Sequence, residues 1–135
     1  MTHDVFISCS PRDQSVTDAI CAALETAGIR CWLASRDAGP GIASSQAINE
    51  ALEASRVILL VSSRTSNKAD DVFHEISLAA LWGIPIVAYR IDHAKPTGRI
   101  GQYVDSQQWL DAARPPHLTR IPDLAATIQL LVKDR

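Results

Sequence analysis

RVILLVSS, Arg56–Ser63, is the stretch that decides the fold. Val57–Val61 is an unbroken apolar run with no polar residue at alternate positions, so a strand made of it is buried on both faces. An antiparallel sheet commonly leaves one face to solvent, whereas a strand apolar on both sides belongs inside a parallel sheet covered by helices. Upstream, Asp4–Cys9 and Arg30–Leu33 read as two more short strands. Between them Val16, Ile20, Ala23, Leu24 and Ala27 recur at helical spacing as buried positions, until Gly28 stops the helix. A helix starting at Ser44/Ser45 turns Ile48, Ala51 and Leu52 inward.

Downstream, a polar loop over Ser63–Asp70 precedes a helix over about Asp71–Trp82, which Gly83 ends. A strand over Ile84–Tyr89, an irregular region with Pro96, Gly98 and Gly101, and a short strand near Gln107–Leu110 follow. The last helix repeats Ile121, Leu124, Ile128, Leu131 and Val132. Right-handed crossovers then predict an α/β fold: a flavodoxin-like, doubly wound, five-stranded parallel sheet of order 2-1-3-4-5 flanked by helices. Ligands of such sheets sit beyond the carboxyl ends of the strands, at the switch point beside strands one and three.

Bulk properties narrow the function. At 135 residues, with 47% apolar and 21% charged, the chain is expected to form a single domain over 1–135, large enough to bury roughly two-thirds of its unfolded surface. Cys9, Cys21 and Cys31 form no metal-ligand spacing and read as small hydrophobes in a reducing cytoplasm; no metal is expected. Leu78–Tyr89, the longest near-apolar stretch, is broken by Gly83 and Pro85 and is shorter than the roughly 20 residues a membrane helix needs, so no membrane is expected. A net charge of −2 without a basic run argues against direct nucleic-acid binding. The chain stops at an apolar helix, LLVKDR, and is expected to be the N-terminal effector part of a longer protein.

Three segments reach the switch-point edge. Ser10-Pro11-Arg12-Asp13 is a capping-box start whose amides face that edge and favour an anion, although capping alone explains Ser10. Ala34–Ile42 is too long for an ordinary connection and carries Arg36, Asp37, Gly39, Pro40 and Gly41. It is not a dinucleotide fingerprint, because it follows the second strand and has a proline where the backbone would wrap pyrophosphate. Arg36 and Asp37 also have a plain reading as a surface pair. Glu75 lies in the first turns of its helix, at the border of the stripe formed by Val72, Ile76 and Ala79 and on the side of Asp71 and Trp82. An acid near a helix N-terminus is stabilised by the dipole, so Glu75 too has a structural reading beside a catalytic one. His3, His74, His93 and His117 are scattered with no nucleophile beside them, which leaves a hydrolase triad unsupported. Val61-Ser62-Ser63 lacks the aspartate of a phosphoaccepting receiver domain.

DVFIS from Asp4, the series Trp32, Ala34, Arg36, Asp37, Pro40 and Gly41, RVILLVSS, the Glu75 helix, LAALWGIPIVAYRID and QQWLDA with Trp109 agree in order and spacing with one family. Over nearly its whole length the chain resembles the Toll/interleukin receptor (TIR) domain of the bacterial type. Enzymatic members cleave NAD+ between nicotinamide and ribose, and their essential glutamate falls on Glu75. The resemblance implies that Cys9, Ser10, Pro11, Arg36, Asp37, Ile42 and Asp71 line the substrate site, NAD+ being substrate and no cofactor being required. Many active members carry aromatic and basic residues where Cys9, Ser10 and Pro11 stand, and some a tryptophan at Asp71.

The resemblance implies self-association through the Ala34–Ile42 loop and adjoining helices, a fused downstream sensor module, and a role in bacterial anti-phage defence or signalling. The expected activity is an assembly-dependent NAD+ glycohydrolase, with cyclic ADP-ribose as a further product. Two other readings stand beside it: a non-catalytic TIR–TIR interaction domain, and a nucleotide-binding protein without NAD+ cleavage.

Overall fold

The computed structural model describes residues 3–38, 42–104 and 109–133, and the backbone but not the side chains of 42–44. Strands β1 (Val5–Ser8), β2 (Cys31–Leu33), β3 (Val57–Ser62), β4 (Ile86–Arg90) and β5 (Trp109–Asp111) form one sheet of order β2-β1-β3-β4-β5. All four pairings are parallel. The expected fold class and strand order are therefore those of the protein. Helices α1 (Gln14–Thr26), α2 (Ala34–Asp37), α3 (Ile42–Ala54), α4 (Asp70–Leu81), α5 (Gly98–Gly101) and α6 (Ile121–Lys133) make the connections.

Strand pleating sorts the core into two layers. Val5, Ile7, Val57, Leu59, Val61, Val87 and Tyr89 face α1 and α6 and pack on Ile20, Leu24, Leu124 and Ile128. Phe6, Ile58, Leu60, Ile86 and Ala88 face the other way, onto Leu52 of α3, Val72, Ile76 and Ala79 of α4 and Ile100 of α5. Val57–Val61 is fully buried throughout, as an apolar run without alternation requires. Phe6 stacks on Trp32 at 5.1 Å between ring centroids, which ties β1 to the edge strand.

The glycine stops work through one device used twice. After α1, Gly28 at φ 88° donates to Glu25 O and Ile29 to Leu24 O; after α4, Gly83 at φ 70° donates to Ala80 O and Ile84 to Ala79 O. Both are Schellman closures, in which a left-handed residue lets the chain satisfy the last carbonyls of the helix. The second closure corrects the expected start of β4. Ile84 spends its amide on the helix and Pro85 has none, so the ladder begins at Ile86 rather than Ile84. Ala27, expected inward, is exposed because it lies past the end of α1; Val16 and Ala23 are partly buried.

Other boundaries shift for local reasons. Pro11–Asp13 forms a 3-10 turn before α1, α2 is a single helical turn inside the long loop, and α3 starts at Ile42 rather than Ser44. The fifth strand is described over Trp109–Asp111; Gln107 and Gln108 lie outside the described residues, as do Gly39, Pro40 and Gly41. None of the described helices is long and apolar enough to cross a membrane. Phe6→Ala is expected to cost about 3–5 kcal/mol of unfolding free energy, because the fully buried ring leaves a cavity beside β3 and Trp32. Urea denaturation followed by far-UV circular dichroism measures it.

Candidate active site

β1 ends at Ser8 on the face covered by α4, whose second turn presents Glu75 to it. The Ser8 hydroxyl donates to Glu75 Oε1 at 2.7 Å. Glu75 is 8% exposed and Ser8 1% exposed, so this hydrogen bond forms away from bulk water. Sequence periodicity puts Glu75 at the border of the buried stripe; the structure puts it inside, because the carboxyl end of β1 comes under that turn. Burial, reinforced by the Asp71 carboxylate one turn earlier, pushes the Glu75 carboxyl up from 4.5 to about 7, against the opposing pull of the Ser8 hydrogen bond. Among the described residues Glu75 forms no ion pair.

Beside this carboxylate lies a cleft of about 370 Å³ at the switch point between β1 and β3. Ile7, Cys9, Pro11 and Gln14 form one wall, and Leu33, Ala34 and Ser35 at the end of β2 form a second. α4 contributes Asp71, His74 and Glu75, and α3 contributes Ser45, Ile48 and Asn49. The α3 wall and His74 were not foreseen from the sequence. Across the mouth, the His74 ring Nε2 lies 3.4 Å from Asn49 Oδ1, so the two helices meet there through polar groups.

Of the residues named from the sequence, Cys9, Pro11, Asp71 and Glu75 line the cleft together. Ser10 does not; it is buried, and its hydroxyl accepts from the Arg12 amide at 3.3 Å, which is the capping reading. The capping box is incomplete, because Asp13 turns to the loop after β3 and accepts from Ser63 Oγ at 2.5 Å and Thr65 Oγ1 at 2.9 Å. Arg36 and Asp37 also point elsewhere. Arg36 binds Glu25 at 2.8 Å, the Cys31 carbonyl at 2.9 Å and Asp37 at 3.0 Å, while Asp37 accepts from the Leu33 amide at 2.9 Å. These contacts hold the start of the loop against β2 and α1, and neither residue lines the Glu75 cleft. The Ile42 side chain lies outside the described residues. Burial raises the Cys9 thiol above its ordinary value, so it is a wall of the cleft and not an activated nucleophile. Cys21 and Cys31 are buried, as expected of small hydrophobes.

Chemically, the cleft offers one carboxylate in a poorly hydrated setting, with no cation paired to it among the described residues. Such a group is costly to ionise alone and strongly drawn to a cationic ligand. Among the described residues no cluster of three or more metal-ligating side chains occurs.

The TIR domain family model matches residues 5–121. The chain belongs to the TIR domain family. Among solved structures, the TIR domain of the Toll-related receptor TRR-2 from Hydra magnipapillata is 22% identical, with a TM-score of 0.77 over 95% of this chain and 99% of that one. The TIR domains of the activated Roq1 resistosome, which directly recognises the pathogen effector XopQ, are 15% identical, with a TM-score of 0.60 over 99% of this chain and 86% of that one. The sugar isomerase domain of an RpiR transcription factor from Sphaerobacter thermophilus is 20% identical at a TM-score of 0.56, over 98% of this chain and 69% of that one. At these identities the likeness is one of fold, which this TIR domain shares with proteins outside the family. No curated protein matches the chain.

The raised Glu75 carboxyl carries a stability consequence. Between pH 4.5 and about 7 the unfolded chain releases this proton while the folded TIR domain keeps it, so stability falls as pH rises through that window and levels off above it. Glu75→Gln keeps an acceptor for Ser8 and removes the penalty. The variant is expected to be more stable than the parent at pH 8, by on the order of 2 kcal/mol, with the gap closing at pH 4.5; urea unfolding at the two pH values measures it.

Proposed function

We propose that this TIR domain is an NAD+ nucleosidase that cleaves the bond between nicotinamide and ribose, with Glu75 as the catalytic carboxylate. The observation that carries the reading is a buried acid, unpaired with any described cation, lining the switch-point cleft. Nicotinamide leaves its pyridinium as a neutral molecule, taking the electron pair of the glycosidic bond, so no general acid has to protonate it. Positive charge passes to the ribose as an oxocarbenium-like centre. A fixed anion in a site of low dielectric stabilises that charge where it develops, and the Ser8 hydroxyl holds the anion in place. Water then adds to the anomeric carbon and loses a proton, giving ADP-ribose; attack by a nucleophile within the same molecule instead gives a cyclic product.

The cleft is open, and the Ala34–Ile42 loop starts from its β2 wall. Self-association through that loop and its neighbouring helices is the proposed means of completing the site, as the Roq1 TIR domains belong to a resistosome assembly. The proposed setting is a bacterial defence or signalling protein in the cytoplasm, with a sensor module fused downstream to drive clustering.

One observation favours the second reading, a TIR–TIR interaction domain without catalysis. Apart from the His74 imidazole, the described cleft residues include no aromatic ring on which a base could stack. The two readings separate when the protein is clustered on vesicles through an affinity tag, supplied with NAD+ and assayed for nicotinamide by chromatography. The enzymatic reading expects release that rises with pH through about 7, as Glu75 ionises. Glu75→Gln is expected to lower it about 100- to 1,000-fold. Ser8→Ala removes the hydrogen bond that favours the ionised form, so the acid limb of the rate profile moves to higher pH. Undiminished turnover in Glu75→Gln refutes its role, and a clustered protein that releases no nicotinamide refutes the enzymatic reading.

A further inference from the structure

A second cavity, of about 410 Å³, opens at the carboxyl ends of β4 and β5 and shares no lining residue with the Glu75 cleft. Its described functional lining is Arg90, His93, Asp111, Arg114, Thr119 and Arg120: three guanidinium groups, against which stand the carboxylates of Asp111 and of Asp123, the ion-pair partner of Arg120. With Arg90 paired to Asp111 and Arg120 to Asp123, Arg114 is the guanidinium left over among the described groups of the cavity.

Arg90 is the base of this cavity. Its side chain is 15% exposed, and its ion pair is with Asp111 at 2.8 Å, a carboxylate that is itself 58% exposed. Its Nε is buried and has no hydrogen-bond partner among the described residues. A guanidinium carries five N–H donors and cannot lose its charge; among the described residues Arg90 has one largely hydrated carboxylate and the Trp109 ring, whose centroid lies 6.0 Å from its Cζ and which accepts none of those donors in its plane. Arg120 directs Nε to Asp123 at 2.7 Å and Nη1 to the Asp111 carbonyl at 3.4 Å. Arg114 is exposed, with no ion pair among the described residues.

The loop that carries these residues is pinned to the sheet. The Ala112 amide donates to the Arg90 carbonyl at 2.8 Å, and the Ala113 amide to Asp111 Oδ1 at 3.0 Å. The His117 Nδ1 lies 2.6 Å from the Ala112 carbonyl, and the buried Tyr89 hydroxyl donates to the His117 carbonyl. The arginines therefore project from an ordered frame, and little of their loop has to be immobilised on binding.

We propose that this cavity is an anion site that takes a phosphate group, either free or as the terminal phosphomonoester of a small ligand. A tetrahedral dianion presents acceptors in several directions and satisfies more than one guanidinium fork at once, whereas a monocarboxylate engages one. The cavity volume suits a small phosphorylated molecule.

The test is isothermal titration calorimetry on the whole chain at constant ionic strength, with inorganic phosphate, ribose 5-phosphate and acetate as probes. Saturable binding of the phosphate-bearing probes, with acetate inert, is expected. Arg114→Glu is expected to weaken it about tenfold, and Arg120→Gln severalfold. Lys133→Glu makes the same charge change at the far end of α6 and leaves binding unchanged; inorganic phosphate has no ribose for the Glu75 cleft to hold, so its binding separates this site from the nucleosidase proposal. Tighter binding of ribose 5-phosphate than of phosphate assigns the site to a phosphomonoester, and equal binding to the free ion. Three results overturn the proposal: no saturable heat with either phosphate probe, acetate binding as well as phosphate, or equal weakening by Arg114→Glu and Lys133→Glu.

Discussion

The hydrogen bond from the Ser8 hydroxyl to the Glu75 carboxylate is the contact on which the site depends. It exists because β1 is an inner strand covered on both faces, so that its last residue meets α4 rather than solvent. The same coverage removes water from Glu75 and raises its proton affinity. One feature of the architecture thus supplies both the location and the electrostatic character of the acid. A protein selected for stability alone has no reason to keep there a carboxylate without a cationic partner among the described residues, since a neutral isostere avoids its desolvation.

Around this contact the fold arranges three loops and two helices, with Cys9 in the cleft wall as an unactivated thiol. The polar links between neighbouring segments maintain the cleft. Asp13 joins the loop after β1 to the loop after β3 through Ser63 and Thr65, while Arg36 and Asp37 anchor the start of the long loop to β2 and α1. The arginines beyond β4 and β5 occupy another stretch of the same sheet edge. That edge is where parallel strands end and loops diverge, and it leaves room for more than one concave site.

What the sequence disclosed follows from which signals are local. Val57–Val61 announces a two-sided strand because burial on both faces leaves no position for a polar residue, and Gly28 and Gly83 announce helix ends because each takes a left-handed backbone. Glu75 was legible as a position on a helix, whereas its burial depends on a strand 67 residues away. The α3 wall was hidden because Ser45 and Asn49 look like an ordinary solvated face until α4 is packed beside them. Arg36 and Asp37 draw attention by their place in a motif, yet their charges are spent on each other, on Glu25 and on the backbone. Likewise, Arg90, Arg114 and Arg120 form no basic run and come together only through the β4–β5 pairing and the loop after it.

The most direct measurement of the central claim is a titration of the Glu75 carboxyl carbon itself, by NMR on protein labelled at glutamate side chains. Its resonance is assigned by its loss in Glu75→Gln. A midpoint near 7, moved upward by Ser8→Ala, is the predicted result. A midpoint at or below the ordinary glutamate value, unmoved by Ser8→Ala, contradicts a buried acid held by Ser8, and with it the account of this site.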